Sequence, residues 1–265
     1  MKNILVPVGS SSNATSHLQY TVDFAKEFGA KIYVVQIYNV YTKAGTLIKI
    51  DDIIERKSRE FMEAHINTVD AKGVEIELKT FKGDVVDILE HVCEVLAIDL
   101  IVLEPRTISI RDEVYLGKVS GRIIKRTQIP ALIVPEGYQF KPIVSILLAL
   151  KSATIKKEGV LKPLIEIKNQ FKAIVHLLLV KTFFYKDGDF DLPEELTEIV
   201  TKTEETVNPT TFQGVLEHYQ KYDPDMLCVV RRKRGFFNKL WEGDAILKKD
   251  FYARTMPVIV LRGMK

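Results

Sequence analysis

The sequence is poor in cysteine and tryptophan and has no long hydrophobic run. Among its 265 residues there are two cysteines and one tryptophan. Cys93 and Cys228 lie far apart in apolar segments, which excludes a disulfide-stapled scaffold and is typical of a reducing, intracellular compartment. The longest apolar stretches, at residues 143–150 and 174–180, are much shorter than the ~20 residues that span a bilayer. Because the apolar run at the start is also too short for a secretory signal, we expect a cytoplasmic protein without membrane contact.

One-sided charge and the common catalytic motifs are also missing. The 38 basic and 35 acidic residues leave a formal net charge of +3, so the total balance does not demand a polyanionic partner. The sequence contains no nucleophile elbow, no P-loop and no dinucleotide-binding glycine fingerprint, which excludes the common hydrolases, nucleoside triphosphatases and dehydrogenases. Its five histidines are scattered without ligand spacing. We therefore expect no catalytic residues, no metal site and no enzyme activity.

Short aliphatic runs alternate with segments of helical length and amphipathic spacing. In the first half, strands are predicted at residues 2–8, 31–37, 74–80, 100–103 and 131–134. Helices are predicted between them at residues 16–28, 51–71, 85–97 and 117–127. Strands separated by helices favour right-handed crossovers, and hence a parallel sheet with helices on both faces.

The second half of the chain repeats the landmarks of the first. The apolar run at residues 4–8 recurs 142 positions later, whereas the Asp-Leu-Ile sequence that begins at Asp99 recurs 126 positions later. The second copy is therefore 16 residues shorter, and we place the loss at its second helix, near residues 192–200. The predicted fold is two tandem α/β domains, at residues 1–137 and 142–265, each with a doubly wound, Rossmann-like, five-stranded parallel sheet.

Five segments carry a resemblance to a known family. They are Lys-Asn-Ile-Leu-Val-Pro-Val at residues 2–8, Gly-Asp at 83–84, Asp-Leu-Ile-Val-Leu at 99–103, Leu-Gly at 116–117 and Ile-Pro-Ala-Leu-Ile-Val at 129–134. In order and spacing they resemble the universal stress protein family, present as a tandem pair that covers nearly the whole chain. The resemblance implies an open, doubly wound sheet with strand order 3-2-1-4-5 and a crevice at the carboxyl ends of the strands.

The resemblance also implies where a ligand would lie. Many members bind ATP through a Gly-x2-Gly-x9-Gly-Ser/Thr pattern after the fourth strand, in which glycines admit the phosphates and a helix N-terminus attracts them. An Asp at the end of the first strand usually faces the nucleoside. By this resemblance, the candidate nucleotide-binding residues of the first domain are Pro7, Val8, Gly9, Ile37, Glu104, Thr107, Gly117, Lys118 and Val119.

The first copy departs from the family's nucleotide pattern. Glu104, Thr107 and Lys118 stand at pattern positions, only the last glycine is kept, and Gly9 occupies the position of the Asp. Glu104 would place a carboxylate where the loop should approach a triphosphate. Two interpretations follow: an altered phosphate or carboxylate site, or an ion pair between Glu104 and Lys118 that fills an abandoned pocket, which we favour. ATP in the first domain is the one cofactor for which this sequence pattern still provides an argument.

The second copy departs further. Val230, Lys233 and Asp244 stand at pattern positions, and Lys151 occupies the position of the Asp. A carboxylate at Asp244 would itself cap the helix start that normally holds phosphate. We therefore do not expect this half to bind a nucleotide.

A dense basic run, Arg-Arg-Lys-Arg at residues 231–234, precedes Phe236, Phe237 and Trp241. Such a loop either binds single-stranded nucleic acid or an anionic surface, or folds its aromatic side chains onto protein. We expect the second arrangement, with at least two of the three aromatic side chains packed and the cation heads in water. The loop would then close the second crevice and offer a basic face to an acidic partner, and nucleic acid is not expected as a ligand.

The predicted function is that of a non-enzymatic, stress-associated binding or regulatory protein whose ATP site is eroded in both halves. The alternative is a member that still binds ATP or another adenine nucleotide in the first crevice. Because single-domain members dimerise through their last strand, the resemblance implies an internal pseudo-dimer through residues 131–134 and 258–261. A homodimer of the whole chain and the identity of a protein partner are left open.

Overall fold

Parallel strands joined by helices make up the described chain. The computed structural model describes residues 1–8, 13–38, 47–104, 120–121, 123–124, 127–155, 157–231 and 256–262, with the backbone alone at residues 47–52 and 85–86. Of these residues, those up to Phe140 form one unit and those from Lys141 onward form a second. The expectation that residues 1–137 and 142–265 are separable domains stays a prediction.

The first unit is a five-stranded parallel sheet. Its elements are β1 (Asn3–Pro7), α1 (Ala14–Phe28), β2 (Lys31–Tyr38), α2 (Leu47–Asn67), β3 (Ile76–Lys82), α3 (Val85–Val95), β4 (Leu100–Leu103) and β5 (Ala131–Ile133). The strands pair in the order β3-β2-β1-β4-β5. A helix was predicted at residues 117–127, between β4 and β5. Within this range the described residues 120–121 and 123–124 are helical, whereas Thr127 is not.

The second unit has the same strand order. Its elements are β6 (Ser145–Leu150), α4 (Lys162–Phe171), β7 (Ile174–Lys181), α5 (Glu194–Ile199), β8 (Lys202–Val207), α6 (Thr211–Tyr222), β9 (Met226–Val230) and β10 (Val258–Leu261). The strands pair in parallel in the order β8-β7-β6-β9-β10. A 6-residue α5 takes the place of the 21-residue α2, which accounts for most of the length lost from this half. The predicted fold class is therefore confirmed.

The second helix of the first unit begins and ends four residues earlier than the predicted range of 51–71. Thr68 ends it, because its backbone N–H and its hydroxyl both donate to the His65 carbonyl oxygen, at 3.2 and 2.7 Å. Lys72 and Gly73 then adopt positive φ angles that turn the chain toward β3. Local hydrogen bonds of Thr68 and the two positive φ angles therefore set the end of this helix, which the charge pattern of the sequence does not define.

The repeated aspartate ahead of β4 and β9 has the same structural role in both units. Asp99 Oδ2 accepts hydrogen bonds from the backbone N–H groups of Lys2 and Asn3, at 2.6 and 3.0 Å. Asp225 Oδ2 accepts from the backbone N–H groups of Val144 and Ser145, at the start of β6, at 2.9 and 3.0 Å. Each carboxylate therefore ties the start of one central strand to the start of the strand beside it. This shared role explains why an aspartate recurs at this position in both halves of the sequence.

Gly214 brings α6 close to the second sheet, and its replacement tests that contact. A Cβ atom there would lie 2.8 Å from Val180 Cγ2 and 3.3 Å from Thr206 Cγ2. We expect Gly214→Ala to lower the free energy of unfolding by about 1–3 kcal/mol, because the packed side chains would have to move. At a solvent-exposed helix position, Gly→Ala raises the free energy of unfolding by about 1 kcal/mol, so the sign of the change shows whether Gly214 is closely packed. Urea denaturation measures it, with the exposed Gln213→Ala as a near-neutral control; an unchanged or raised stability of Gly214→Ala would contradict the close packing.

Candidate functional site

The switch point of the first sheet lies between β1 and β4. The chain proceeds from β1 outward to β2 and β3, and then returns to place β4 on the other side of β1. The register pairs Ile4 with Leu100 and Leu5 with Ile101. In open α/β sheets, ligands bind in the crevice outside the carboxyl ends of the strands at this point. The residues that follow β1 and β4 are therefore the candidate site of the first unit.

The structure places four of the predicted site residues at this crevice. Pro7 is the last residue of β1, and the Val8 N–H that follows donates to Val35 O at 2.9 Å. Extending the register between β1 and β4 by a few residues places Val8 beside Glu104. Ile37 lies two residues beyond Val35, the partner of Pro7, and so forms part of the rim on β2. The other predicted site residues lie outside the described part of the chain: Gly9, Thr107, Gly117, Lys118 and Val119.

Glu104 contributes an acidic group to this crevice. It is half-buried directly after β4, and its backbone carbonyl accepts a hydrogen bond from Ser120 Oγ at 3.2 Å. At about 4 Å, two like unit charges repel by about 4 kcal/mol at an effective dielectric constant of about 20. A phosphate at the end of β4 would meet this repulsion. The predicted ion pair with Lys118 stays a prediction, since that residue is outside the described chain.

Gln36 is a rim residue that the motif comparison missed. The pairing of Pro7 with Val35 places Gln36 beside Val8, near the carboxyl end of β2. Its Oε1 atom is buried and has no hydrogen-bond partner among the described residues. A buried acceptor without a donor is costly unless something satisfies it. The signal available in the sequence was a single amide side chain among the apolar and aromatic residues at positions 32–38 of β2.

His17 lies on α1 close to the same sheet edge but has the character of a core residue. It is 7% exposed, and neither ring nitrogen has a hydrogen-bond partner among the described residues. Burial lowers its pKa to about 4, an effect that the nearby backbone of Val102 only partly offsets. The ring is therefore neutral at pH 7.

The second unit has its own switch point, between β6 and β9, and a row of basic residues follows its strands. Ala149 pairs with Val229, so extending that register places Lys151 beside Arg231. The Arg231 N–H donates to Leu261 O at 3.0 Å, which continues the ladder between β9 and β10 and places Arg231 beside Arg262. All three basic residues are half-buried. We call Lys151, Arg231 and Arg262 the cation row.

The cation row has no counterpart in the first half. The sequence repeat aligns Lys151 with Gly9, and it aligns the two arginines with Pro105 and Pro135. From the sequence, Lys151 is notable only as the replacement of an expected Asp. The row itself is missed because the three residues are far apart along the chain and become neighbours only through the strand register.

A group of interacting titratable side chains lies elsewhere, where side chains of α6 contact Glu204 of β8. Glu204 accepts hydrogen bonds from Tyr222 Oη and from Lys221 Nζ, the latter at 2.7 and 2.8 Å. These two donors lower the pKa of Glu204, and His218 Nε2 lies 3.6 Å from its carboxylate. His218 Nδ1 lies 2.9 Å from Gly214 O. Because these groups satisfy one another, the cluster is a structural connection rather than a reactive site.

Several sequence predictions concern parts of the chain that the structure does not describe. The predicted plug consists of the basic run at residues 231–234 and three aromatic residues after it. Of these residues only Arg231 is described, so the plug stays a prediction. Within the described ranges, no group of three or more His, Cys, Asp or Glu side chains is placed to hold a metal ion. None of the described helices is long and apolar enough to cross a membrane.

The fold is doubly wound α/β, with a switch point in each sheet, and comparison with known proteins is consistent with it. The universal stress protein family model matches residues 1–135. A universal stress protein of Methanocaldococcus jannaschii is 23% identical over 138 residues, which are 50% of this chain and 81% of that protein. A universal stress protein structure from Archaeoglobus fulgidus has a TM-score of 0.70 at 19% identity, covering 98% of this chain and 96% of that one. A structure of a protein of unknown function from Pseudomonas aeruginosa has a TM-score of 0.55 at 13% identity, covering 99% and 92%.

The chain belongs to the universal stress protein family. The family that the sequence landmarks predicted is thereby confirmed, together with the strand order that the resemblance implied. At these identities, the similarity to the solved structures concerns the fold alone.

Proposed function

We propose that this protein is a non-enzymatic, stress-associated binding or regulatory protein of the cytoplasm that no longer holds ATP in the manner of its family. One observation carries the proposal: Glu104 is the first residue after β4, at the switch point where the family pattern has a glycine. A glycine there admits a phosphate, whereas a carboxylate repels it and occupies the space. The protein would then act through a protein partner rather than through a bound nucleotide.

The association of the two halves is part of the same proposal. β5 and β10 are the last strands of their own sheets, and each consists of buried aliphatic residues. We infer that the halves form an internal pseudo-dimer through these strands, as the resemblance implies. That arrangement stays a prediction, as does a homodimer of the whole chain.

The alternative function, binding of an adenine nucleotide in the first crevice, is favoured by Gln36. Its buried Oε1 lies at the rim beside Val8 and lacks a partner among the described residues. An amino group or a hydroxyl of a nucleoside would satisfy this acceptor. In that case Lys118 supplies the cation that offsets Glu104.

Titration with ATP decides between the two functions. We expect calorimetry of the wild-type protein to give no binding tighter than a Kd of about 10 μM, or roughly −7 kcal/mol. Removing the like charge should improve the affinity, so Glu104→Gly and Glu104→Gln should each bind ATP at least about tenfold more tightly. The matched control is Glu90→Gln, which removes an exposed carboxylate of α3 and should leave binding unchanged.

Two outcomes would contradict the proposed loss of ATP binding. One is a wild-type Kd tighter than about 10 μM that weakens in Lys118→Ala and Gln36→Leu. The other is ATP found by mass spectrometry in the supernatant of the denatured, purified protein. Either result would establish the alternative function.

A further inference from the structure

We propose that the second unit docks a basic, amphipathic helix of a partner protein at the β8 edge of its sheet. The docking surface consists of the exposed face of β8, the turn at residues 182–185 and the acidic segment at residues 187–198. The inference rests on the proposed function in one respect, because it names the surface and the chemistry of the protein partner that this function requires. The ATP titration above and the peptide titration below are independent measurements, so the two proposals can fail separately.

β8 is an edge strand with one exposed face. Among the described strands it pairs with β7 alone. Its Glu204 and Thr206 side chains face α6, which lies against both of them. Because side chains alternate along a strand, Thr203, Glu205 and Val207 lie on the opposite face. All three of these residues are exposed, so this face of β8 is available to another molecule.

The first unit shows what kind of element covers the corresponding strand. There the 21-residue amphipathic α2 is connected to β3 by a hydrogen bond of 3.3 Å from Thr80 Oγ1 to Glu55 Oε1, and residues 76–81 of β3 are half-buried. The corresponding helix of the second unit, α5, has 6 residues, of which Leu196 and Ile199 are buried. The shorter helix leaves β8 exposed where β3 is covered. A helix of another molecule can therefore take the place that α2 occupies in the first unit.

The turn after β7 presents two adjacent phenylalanine side chains to solvent. The Tyr185 N–H donates to Thr182 O at 2.9 Å and closes a turn whose central residues are Phe183 and Phe184. These two residues are 89% and 76% exposed. Central turn positions favour Gly, Pro, Asn or Asp, and a phenylalanine ring stabilises a fold only when it is buried, so neither turn chemistry nor packing explains the pair. Adjacent exposed apolar side chains of this kind mark an interaction site.

The phenylalanine turn and the exposed face of β8 form one continuous strip. Val207, the last residue of β8, pairs with Lys181, and the turn begins at the next residue along the chain. The six residues of β8, at about 3.3 Å each, extend over roughly 20 Å. A helix rises about 1.5 Å per residue, so roughly 14 residues of a partner helix match this length. The apolar side of such a helix would contact Val207 and the two phenylalanine rings.

The segment beside this strip is acidic, which selects a basic partner. Residues 187–198 contain six acidic and no basic side chains, namely Asp187, Asp189, Asp191, Glu194, Glu195 and Glu198. Among the described residues of the second unit, the salt bridges involve other carboxylates. The three aspartates lie with Glu205 of β8 around Tyr185, whose pKa is raised first by its own burial and then by these four carboxylates. A partner helix with lysine or arginine beside its apolar side would complement this charge.

The test is fluorescence anisotropy of a labelled synthetic helix of about 14 residues, with leucine on one side and lysine on the other, titrated with the full chain. We expect saturable one-site binding by the wild-type protein. The double variant Phe183→Ser/Phe184→Ser should weaken binding at least about tenfold, and Asp187→Asn/Asp191→Asn should weaken it about threefold or more at low salt. The matched controls are Val95→Ser on α3 and Glu217→Gln on α6, which change exposed side chains elsewhere and should alter the affinity less than about twofold. Circular dichroism establishes that each variant is folded.

Three outcomes would overturn the proposal: no saturable binding to the wild type, equal binding by the wild type and the phenylalanine double variant, or equal binding of a peptide in which glutamate replaces every lysine. If the double variant does not fold, the single variant Phe183→Ser decides in its place. Sedimentation velocity tests a second copy of the chain as the occupant. Self-association of the wild type that is lost in the phenylalanine variant would assign the surface to a homodimer and overturn the partner helix. A peptide that does not bind leaves the ATP titration as the test of the proposed function, and ATP binding by the wild type leaves the peptide titration as the test of this surface.

Discussion

Replacing Phe24 by alanine is expected to lower the free energy of unfolding by about 3–5 kcal/mol. Phe24 is fully buried on α1 and lies at the centre of an aromatic cluster in the first unit. Its ring centroid is 4.9 Å from that of Phe28 and 6.2 Å from that of Phe140. Truncation removes the buried ring and leaves a cavity that the surrounding rings cannot fill without moving.

The cluster also joins the last residues of the first unit to its first helix. The ring centroid of Tyr20 is 6.0 Å from that of Tyr138 and 5.7 Å from that of Phe140, and burial raises the pKa of Tyr20. A first-unit fragment that ends at residue 137 would therefore lose contacts that hold α1. We expect a fragment ending at Phe140 to be the more stable of the two.

Urea denaturation followed by circular dichroism measures the effect of Phe24→Ala. The matched control is Phe183→Ala, the same change at a side chain that is 89% exposed, and it should alter stability by less than about 0.5 kcal/mol. A loss below about 1 kcal/mol in Phe24→Ala would show that the cluster does not stabilise this unit. Equal losses in the two variants would lead to the same conclusion.

Asp225→Ala is expected to lower the free energy of unfolding by about 2–3 kcal/mol, because the change removes the acceptor of two backbone N–H groups. The carboxylate accepts from Val144 and Ser145 through Oδ2, and Lys141 Nζ lies 2.6 Å from Oδ1. Burial alone would raise the pKa of Asp225, but Lys141 and the two backbone donors outweigh it and lower the pKa.

The pH dependence of this effect has a definite sign. A carboxyl group whose pKa is lower in the folded state contributes stability above its unfolded pKa, which is about 3.9 for Asp. That stability is lost as the pH falls through the lowered, folded-state pKa. The difference in unfolding free energy between the wild type and Asp225→Ala should therefore be full above about pH 5 and shrink below about pH 4. Asp187→Ala, an exposed aspartate of the same unit, is the control and should show no such difference.

A stability difference that is the same at pH 3 and pH 7 would contradict this explanation of Asp225. Asp99→Ala provides an independent comparison, since Asp99 makes the same two backbone hydrogen bonds in the first unit. We expect a loss of similar size there. Asp225→Asn keeps one acceptor oxygen and should recover part of the loss.

Local sequence was enough to predict the central strands, because β1, β4, β6 and β9 are apolar runs that must be covered on both faces. It was not enough for β8, whose sequence is Lys-Thr-Glu-Glu-Thr-Val and whose residues are largely exposed. An edge strand needs only one partner and one covered face, so it carries no apolar run. Pairing with β7 and the contacts of Glu204 with α6 decide its place.

By itself, the sequence determined the fold class, the tandem repeat and the family, because repeated apolar runs, turn residues and the two aspartates recur in the same order. It also determined that Glu104 replaces a glycine of the nucleotide pattern, since this replacement follows from comparing the residue at that position with the residue in the family pattern. Only the tertiary structure placed Gln36 beside Val8 and aligned Lys151, Arg231 and Arg262 in one row. The physical reason is that parallel pairing brings the ends of strands together irrespective of how much chain separates them, and no local pattern records which strands will be neighbours.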